Sequence, residues 1–165
     1  MWQLSNCPLD HQIGHLMPYN KKVIKGTPQM ATRGRVGLEL ADGSILSIYS
    51  HWDNYPEWAG RILRTHYNTR EKVAELVDEG DVSCLWTDDR WDGSGDGSYG
   101  PNHYAYRGDD CPPRLDANKY DYLADGEEYA YIYNLKGEWV CYDRHQFEDD
   151  KEPEVVEIPS APLHV

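Results

Sequence analysis

The sequence contains no apolar run near the roughly 20 residues that a transmembrane helix requires, so we expect no membrane-spanning helix. Its first residues lack a basic segment followed by an apolar one, and we expect no signal peptide. Basic residues are scarce, because 16 Lys and Arg stand against 29 Asp and Glu and give a formal net charge of −13. Such a chain repels phosphate groups, so we expect no direct binding to nucleic acid.

Motifs of catalysis and metal binding are also missing. The four cysteines form no C-x-x-C pair, which argues against a zinc ribbon and favours reduced thiols. The chain has no G-x-S-x-G elbow, no phosphate-binding loop and no H-E-x-x-H pair. We therefore expect a protein that is not an enzyme and that has no cofactor and no metal site.

One acidic loop partly imitates a calcium-binding loop. Asp92, Ser94 and Asp96 alternate before Gly97, as in the first half of an EF-hand loop. The position that should hold a bidentate Glu is His103, so the pattern fails in its second half. A flexible acidic loop is the better interpretation, and binding of a divalent ion stays open.

The sequence is rich in tyrosine and tryptophan. It has 13 Tyr and 6 Trp but a single Phe. Hydroxyl and indole N–H groups need hydrogen-bond partners or access to the surface, so many of these rings should be only half-buried. They fit either a small β-sheet, which favours aromatic residues, or the wall of a binding cleft.

Composition divides the chain into three parts. Residues 1–29 contain one acidic residue against three lysines and several prolines and glycines, and we interpret them as an N-terminal extension or arm. Residues 30–146 carry the regular patterns of a core domain. Residues 147–165 are acidic and contain prolines, which predicts a fraying tail.

Within the core, hydrophobic periodicity predicts two hairpins and two helices. Asp42-Gly43 is a strong turn signal between two apolar runs. Thr69 can cap a helix that Gly80 ends. The predicted hairpins pair 35–40 with 44–50 and 129–133 with 139–142, and the predicted helices cover 57–67 and 70–79. We therefore expect a small α+β domain, with an antiparallel sheet and two helices on one of its faces.

The junction between the second strand and the first helix has the most site-like pattern. In an extended strand Ser47, Tyr49 and His51 point to one face and can converge on groups at the start of the helix. Helix N-termini favour anions, arginines can meet negative charge, and aromatic rings can stack on a base. We predict a nucleotide-like ligand at a site formed by Ser47, Tyr49, His51, Trp52, Asp53, Tyr55, Arg61 and Arg64.

The same junction also has a purely structural interpretation. Trp52 and Tyr55 can fix the helix to the sheet, while His51 and Asp53 cap the entry into the helix. The sequence alone leaves both interpretations open.

Residues 30–86 resemble a family of small bacteriophage accessory proteins, most of them without an assigned activity. The resemblance is carried by the run S-I-Y-x-H-W-D-x-Y-P over residues 47–56, and continues through Gly60, His66-Tyr67 and Gly80-Asp81. It implies a phage protein that acts in the host bacterial cytoplasm, commonly against a host defence. It implies no particular reaction.

Two binding functions suit such a chain. The first is sequestration of a nucleotide-like small ligand, which predicts a concave pocket with arginine and aromatic walls. The alternative is an acidic DNA mimic that occupies a basic host protein, such as a nuclease or another nucleic-acid-binding protein, and it predicts a long acidic face without a pocket. The run over residues 47–56 is aromatic and polar rather than acidic, which favours the ligand-binding hypothesis. A homo-oligomer remains possible for either function.

Overall fold

The computed structural model describes residues 32–86, 100–145 and 153–159. Within these ranges eight strands form one mixed sheet in the order β4-β3-β2-β1-β6-β7-β8, and β5 pairs with β2 beside β3. The strands are β1 (Gly34–Glu39), β2 (Ile45–Ser50), β3 (Val82–Cys84), β4 (Asn102–His103), β5 (Arg114–Asp116), β6 (Tyr129–Tyr133), β7 (Trp139–Asp143) and β8 (Glu154–Val156).

Within the same described ranges, three α-helices and two shorter helical turns accompany the sheet. A π-helical turn, Pro56–Gly60, leads directly into α1 (Arg61–His66), and α2 (Arg70–Asp78) follows it. A 3₁₀ turn covers Tyr104–Arg107, and α3 covers Lys119–Ala124. No helix in the described ranges is long and apolar enough to cross a membrane.

Both predicted hairpins are confirmed. β1 and β2 pair antiparallel, and Gly43 takes the positive φ of 90° that the turn between them requires. β6 and β7 also pair antiparallel, with Gly137 at a φ of 80° in their turn. In both hairpins, the local turn residues set the register that buries the apolar side chains.

The prediction of an antiparallel sheet is wrong, because the sheet is mixed. β1 runs parallel to β6, and β2 runs parallel to β3 at its end, where Ser50 pairs with Val82. Parallel neighbours need a long crossover, and the helical segment 56–78 supplies one between β2 and β3. The direction of such pairings depends on which strands meet after collapse, which local periodicity does not encode.

Helices α1 and α2 pack against the sheet through one buried cluster. Ile62 of α1 and Val73 of α2 lie in one buried cluster with Val36 and Ile48 of the sheet. Thr69 caps α2 by accepting a hydrogen bond from the backbone N of Lys72 at 3.2 Å. The first helix is shorter than predicted, since its initial turn is π-helical.

A third helix covers the opposite face. Tyr122 and Leu123 of α3 pack with Ala130 and Ile132, which alternate with the residues of the other cluster along β6. The run Tyr120-Asp121-Tyr122 alternates like a strand but lies within this helix. Asn118 begins this helix by accepting a hydrogen bond from the backbone N of Asp121 at 2.8 Å. The sheet therefore has helices on both faces.

The expected fraying of the C-terminal segment is wrong for residues 153–159. β8 pairs antiparallel with β7, and Ile158 is buried in the main core. A Cβ atom on Gly60 would lie 2.8 Å from the Ile158 side chain, so the two chain segments are in close contact. Apolar residues at Val155, Val156 and Ile158 allow a segment with acidic flanks to add an edge strand.

Several sequence expectations fall outside the described residues. These are the N-terminal arm over residues 1–29 and the acidic loop over residues 92–97. Among the cysteines, Cys84 and Cys141 are free, whereas Cys111 is disulfide-bonded. The expectation of reduced thiols is therefore wrong for Cys111.

Candidate functional site

The junction predicted from the sequence, residues 47–55, is built around a buried arginine. Arg35 on β1 is fully buried, and its Nε donates to Ser47 Oγ at 3.0 Å while its Nη2 donates to the Ser47 carbonyl oxygen at 3.2 Å. Burial lowers the pKa of Arg35, and Arg114 lowers it further, whereas Asp81 opposes the shift. Ser47 thus holds a buried cation, Arg35, which is not among the eight residues predicted from the sequence.

Tyr49 and His51 form a second buried pair on the same face of β2. The Tyr49 hydroxyl lies 2.7 Å from His51 Nδ1, and both side chains are buried. The backbone N of Tyr49 donates to Asp81 Oδ1 at 2.8 Å. Burial raises the pKa of Asp81 to about 6 against the opposing effect of Arg35. These contacts join β2 to the chain that follows α2.

The residues after β2 turn the chain into the helical segment. The Trp52 side chain is 36% exposed, and its ring meets the His51 ring edge-on at 4.7 Å between centroids. Asp53 has a φ of 58°, and burial raises the pKa of its carboxyl. The Tyr55 carbonyl oxygen accepts from the backbone N atoms of Trp58 and Ala59, which begins the π-helical turn.

Asn54, which is not among the eight residues predicted from the sequence, organises this turn. Its side chain is fully buried, and Nδ2 donates to the carbonyl oxygens of Thr32, Ser50 and Trp52 at 2.9 to 3.1 Å. A buried amide that satisfies three carbonyl groups fixes the local backbone. The Asp53-Asn54 pair is a sequence signal for a turn, because Asp and Asn both favour turns and tolerate the left-handed conformation that Asp53 adopts.

The two predicted arginines have different environments. Arg64 Nη1 donates to the Ile158 carbonyl oxygen at 2.6 Å and so fastens the C-terminal segment to α1. Arg61 Nε and Nη1 are buried without a hydrogen-bond partner among the described residues. The structure therefore brings Ser47, Tyr49, His51 and Trp52 into one packed region, while Arg64 belongs to another contact.

A concave cleft lies elsewhere, between α1, α2 and the chain around the 3₁₀ turn. Its volume is about 730 Å³, and none of the eight predicted residues lines it. The described lining residues are Thr65, His66, Tyr67, Lys72, Glu75, Leu76, Asp78, Glu79, Trp86, Gly100, Pro101, His103 and Tyr106. No single stretch of sequence provides this wall.

Aromatic rings form much of the cleft wall. His66 and Trp86 are stacked, with ring centroids 4.2 Å apart and an interplanar angle of 21°. Tyr106 meets His103 edge-on at 5.2 Å and remains 64% exposed. Tyr67 is held by Trp139, whose Nε1 donates to its carbonyl oxygen at 2.8 Å. Among the described rings of the wall, Tyr106 is the one that is largely exposed, since Trp86 is 5% exposed.

The histidines of the cleft favour their neutral form. Burial lowers the pKa of His66, and the neighbouring Lys72 lowers it further. Burial also lowers the pKa of His103, against the backbone contact that favours its charged form. His103 Nδ1 lies 2.9 Å from the Gly80 carbonyl oxygen, so Nδ1–H donates there and Nε2 is the acceptor in the neutral ring.

The remaining polar lining is mainly acidic. Glu75, Asp78 and Glu79 line the cleft, and Lys72 is the single Lys or Arg among its described lining residues. The described residues hold no group of three or more His, Cys, Asp or Glu side chains arranged to bind a metal ion. Stacking and hydrogen bonding are the interactions that this arrangement provides.

No protein-family model, curated protein or solved structure is detectably similar to this chain.

Two sequence features pointed toward the cleft without locating it. His66-Tyr67 lies at the end of the first predicted helix, and His103 to Tyr106 is an aromatic cluster. These segments lie more than thirty residues apart. Only the fold brings them together, through the crossover after β2 and the pairing of β3 with β4.

Proposed function

We propose that this chain is a small-ligand-binding protein that holds the planar ring of a nucleotide-like molecule in the cleft. The observation that carries the proposal is the cleft of about 730 Å³ beside the stacked His66–Trp86 pair. Ligand sites usually have volumes of roughly 300–1,000 Å³ and combine apolar walls with a few polar groups. The exposed ring of Tyr106 supplies a stacking surface at the rim.

Sequestration of the ligand is the role that we propose for such a binding protein. In the bacteriophage setting that the sequence resemblance implies, such a protein would remove a small molecule from the host cytoplasm and so act against a host defence. The eight junction residues stay a prediction for this function, and the cleft is the site that we favour.

Adenosine is the probe that tests this proposal. We expect it to quench tryptophan fluorescence saturably, and Tyr106→Ala to weaken its affinity by roughly fivefold because one stacking surface is lost. The matched control is Tyr120→Ala, which removes a comparably exposed tyrosine, 58% against 64%, outside the cleft lining. Absence of saturable binding, or an equal loss in both variants, contradicts the proposal.

The second candidate function is an acidic decoy, and a row of three carboxylates on α2 supports it. Glu71, Glu75 and Asp78 are exposed at the helical spacing that places them on one side of α2. This row spans only about 10 Å, which is short for a phosphate ladder. Its test is inhibition of a nuclease in low salt: loss of inhibition on Glu71→Gln supports the decoy, and no inhibition contradicts it.

A further inference from the structure

We propose that the cleft selects a planar organic cation over the uncharged and the phosphorylated forms of the same ring. This inference rests on the proposed function, because it concerns the ligand of the same cleft. It revises the sequence expectation of an anion held by arginines.

The charges that face the cleft favour a cation. Three carboxylates, Glu75, Asp78 and Glu79, oppose one ammonium group, that of Lys72, among the described lining residues. Lys72 Nζ already donates to Asn68 Oδ1 at 3.4 Å. The described lining therefore carries more negative than positive charge, which repels a phosphate group and attracts a cation.

The position of these carboxylates on α2 strengthens the attraction of the cleft for a cation. They follow one another at i, i+3 and i+4, so they share a side of the helix. Asp78 and Glu79 stand at the C-terminal end, where the helix dipole is already negative, and the last turn contains no basic residue. Carboxylates at this end are unfavourable for an isolated helix, and a bound cation would relieve that repulsion.

The aromatic wall is compatible with the same ligand. Faces of aromatic rings attract cations through their quadrupole, and Tyr106, which is 64% exposed, presents such a ring at the cleft. Trp86 is only 5% exposed and lies behind the His66 ring that stacks on it. The neutral forms of His66 and His103 add no positive charge near pH 7. A flat cation can therefore stack on the Tyr106 ring while its charge lies near the carboxylates.

Three ligands with the same purine ring test the inference. 1-Methyladenosine is a cation near neutral pH, adenosine is uncharged, and adenosine monophosphate is an anion. We expect 1-methyladenosine to bind roughly five- to tenfold more tightly than adenosine in low salt, and the monophosphate to bind most weakly. High salt should reduce these differences.

Charge-neutralising variants separate charge from the shape of the added methyl group. In the triple variant Glu75→Gln, Asp78→Asn, Glu79→Gln, the affinity ratio of 1-methyladenosine to adenosine should fall to about one. Glu71→Gln removes an exposed carboxylate of the same helix that does not line the cleft, and it should leave the ratio unchanged. A ratio retained in the triple variant overturns the inference.

The remaining outcomes distinguish the inference from the proposed function. If adenosine or its monophosphate binds the unaltered protein at least as tightly as 1-methyladenosine, the charge inference is wrong and the ligand-binding function stands. If none of the three ligands binds saturably, the proposed function is contradicted, and the inference falls with it.

Discussion

The junction around residues 47–55 and the cleft between α1, α2 and the 3₁₀ turn use similar residue types for different purposes. Both contain tyrosine, histidine and tryptophan. In the junction these side chains are mostly buried and hydrogen-bonded to one another, as in the contact between Tyr49 and His51. In the cleft the His66 and Trp86 rings are stacked on each other, and Tyr106 is largely exposed. A dense run of aromatic and polar residues therefore marks a structural centre here, whereas the open surface is assembled from separate segments.

Replacing the buried arginine of the junction gives the largest expected effect. Arg35→Met should lower the free energy of unfolding by about 3–5 kcal/mol, because Ser47 loses two buried hydrogen bonds from a charged donor and Asp81 loses one of the two cations that act on it. Urea denaturation measures this change. The control Lys136→Met removes an exposed cation in a turn and should stay within about 0.5 kcal/mol.

Ligand binding should also distinguish the junction from the cleft. Folded Arg35→Met should bind adenosine as tightly as the unaltered protein, since Arg35 does not line the cleft. Loss of adenosine binding by Arg35→Met under conditions in which the variant is still folded would show that the junction, and not the cleft, is the binding site.

The two regions should respond to pH with opposite signs. Burial raises the pKa of Asp81 from 3.8 to about 6, so the folded state takes up this proton before the unfolded state does. Its contribution to stability should increase by up to about 3 kcal/mol as pH falls from 7 to 4. Burial lowers the pKa of His66, so its contribution should decrease as pH falls through about 6.5.

Stability profiles of variants measure these opposite slopes. Asp81→Asn should lose the gain in stability between pH 6 and 4 relative to the unaltered protein, and Asp110→Asn, at an exposed site, should retain it. His66→Ala should lose the decrease below about pH 6.5. Identical profiles for Asp81→Asn and the unaltered protein would contradict the assignment of a perturbed carboxyl to Asp81.

Removing one hydroxyl gives the smallest expected effect. Tyr49→Phe deletes the partner of His51 Nδ1 and should cost about 1–2 kcal/mol of unfolding free energy, measured by urea denaturation. Tyr106→Phe, at the exposed rim of the cleft, is the matched control and should cost less than about 0.5 kcal/mol. Equal costs would remove the distinction between a buried junction and an open cleft.

Local elements could be predicted because local residues encode them. Asp42-Gly43 set the first hairpin, and Thr69 with Gly80 set the bounds of α2 to within about one residue. The pairing of β1 with β6 and the insertion of β8 could not be predicted in this way. Both depend on contacts between residues far apart in the chain, which periodicity does not rank.

The candidate site could likewise be predicted from the sequence only in part. The sequence indicated that residues 47–55 meet at a strand-to-helix junction, and the structure brings most of them together there. It did not indicate that Arg35 fills this region or that Asn54 holds its turn, because burial of a polar side chain depends on the opposite layer. The cleft was missed because its rings come from His66, Trp86 and the segment around Tyr106.

The sequence by itself determined the hairpins, the capped helix α2 and the mixed α+β character of this protein. Only the tertiary structure decided the parallel pairings, the helix on the second face and the position of the cleft. The physical reason is the range of the interactions. Turns, caps and alternating burial act over a few residues, whereas a concave surface exists only after distant segments have packed.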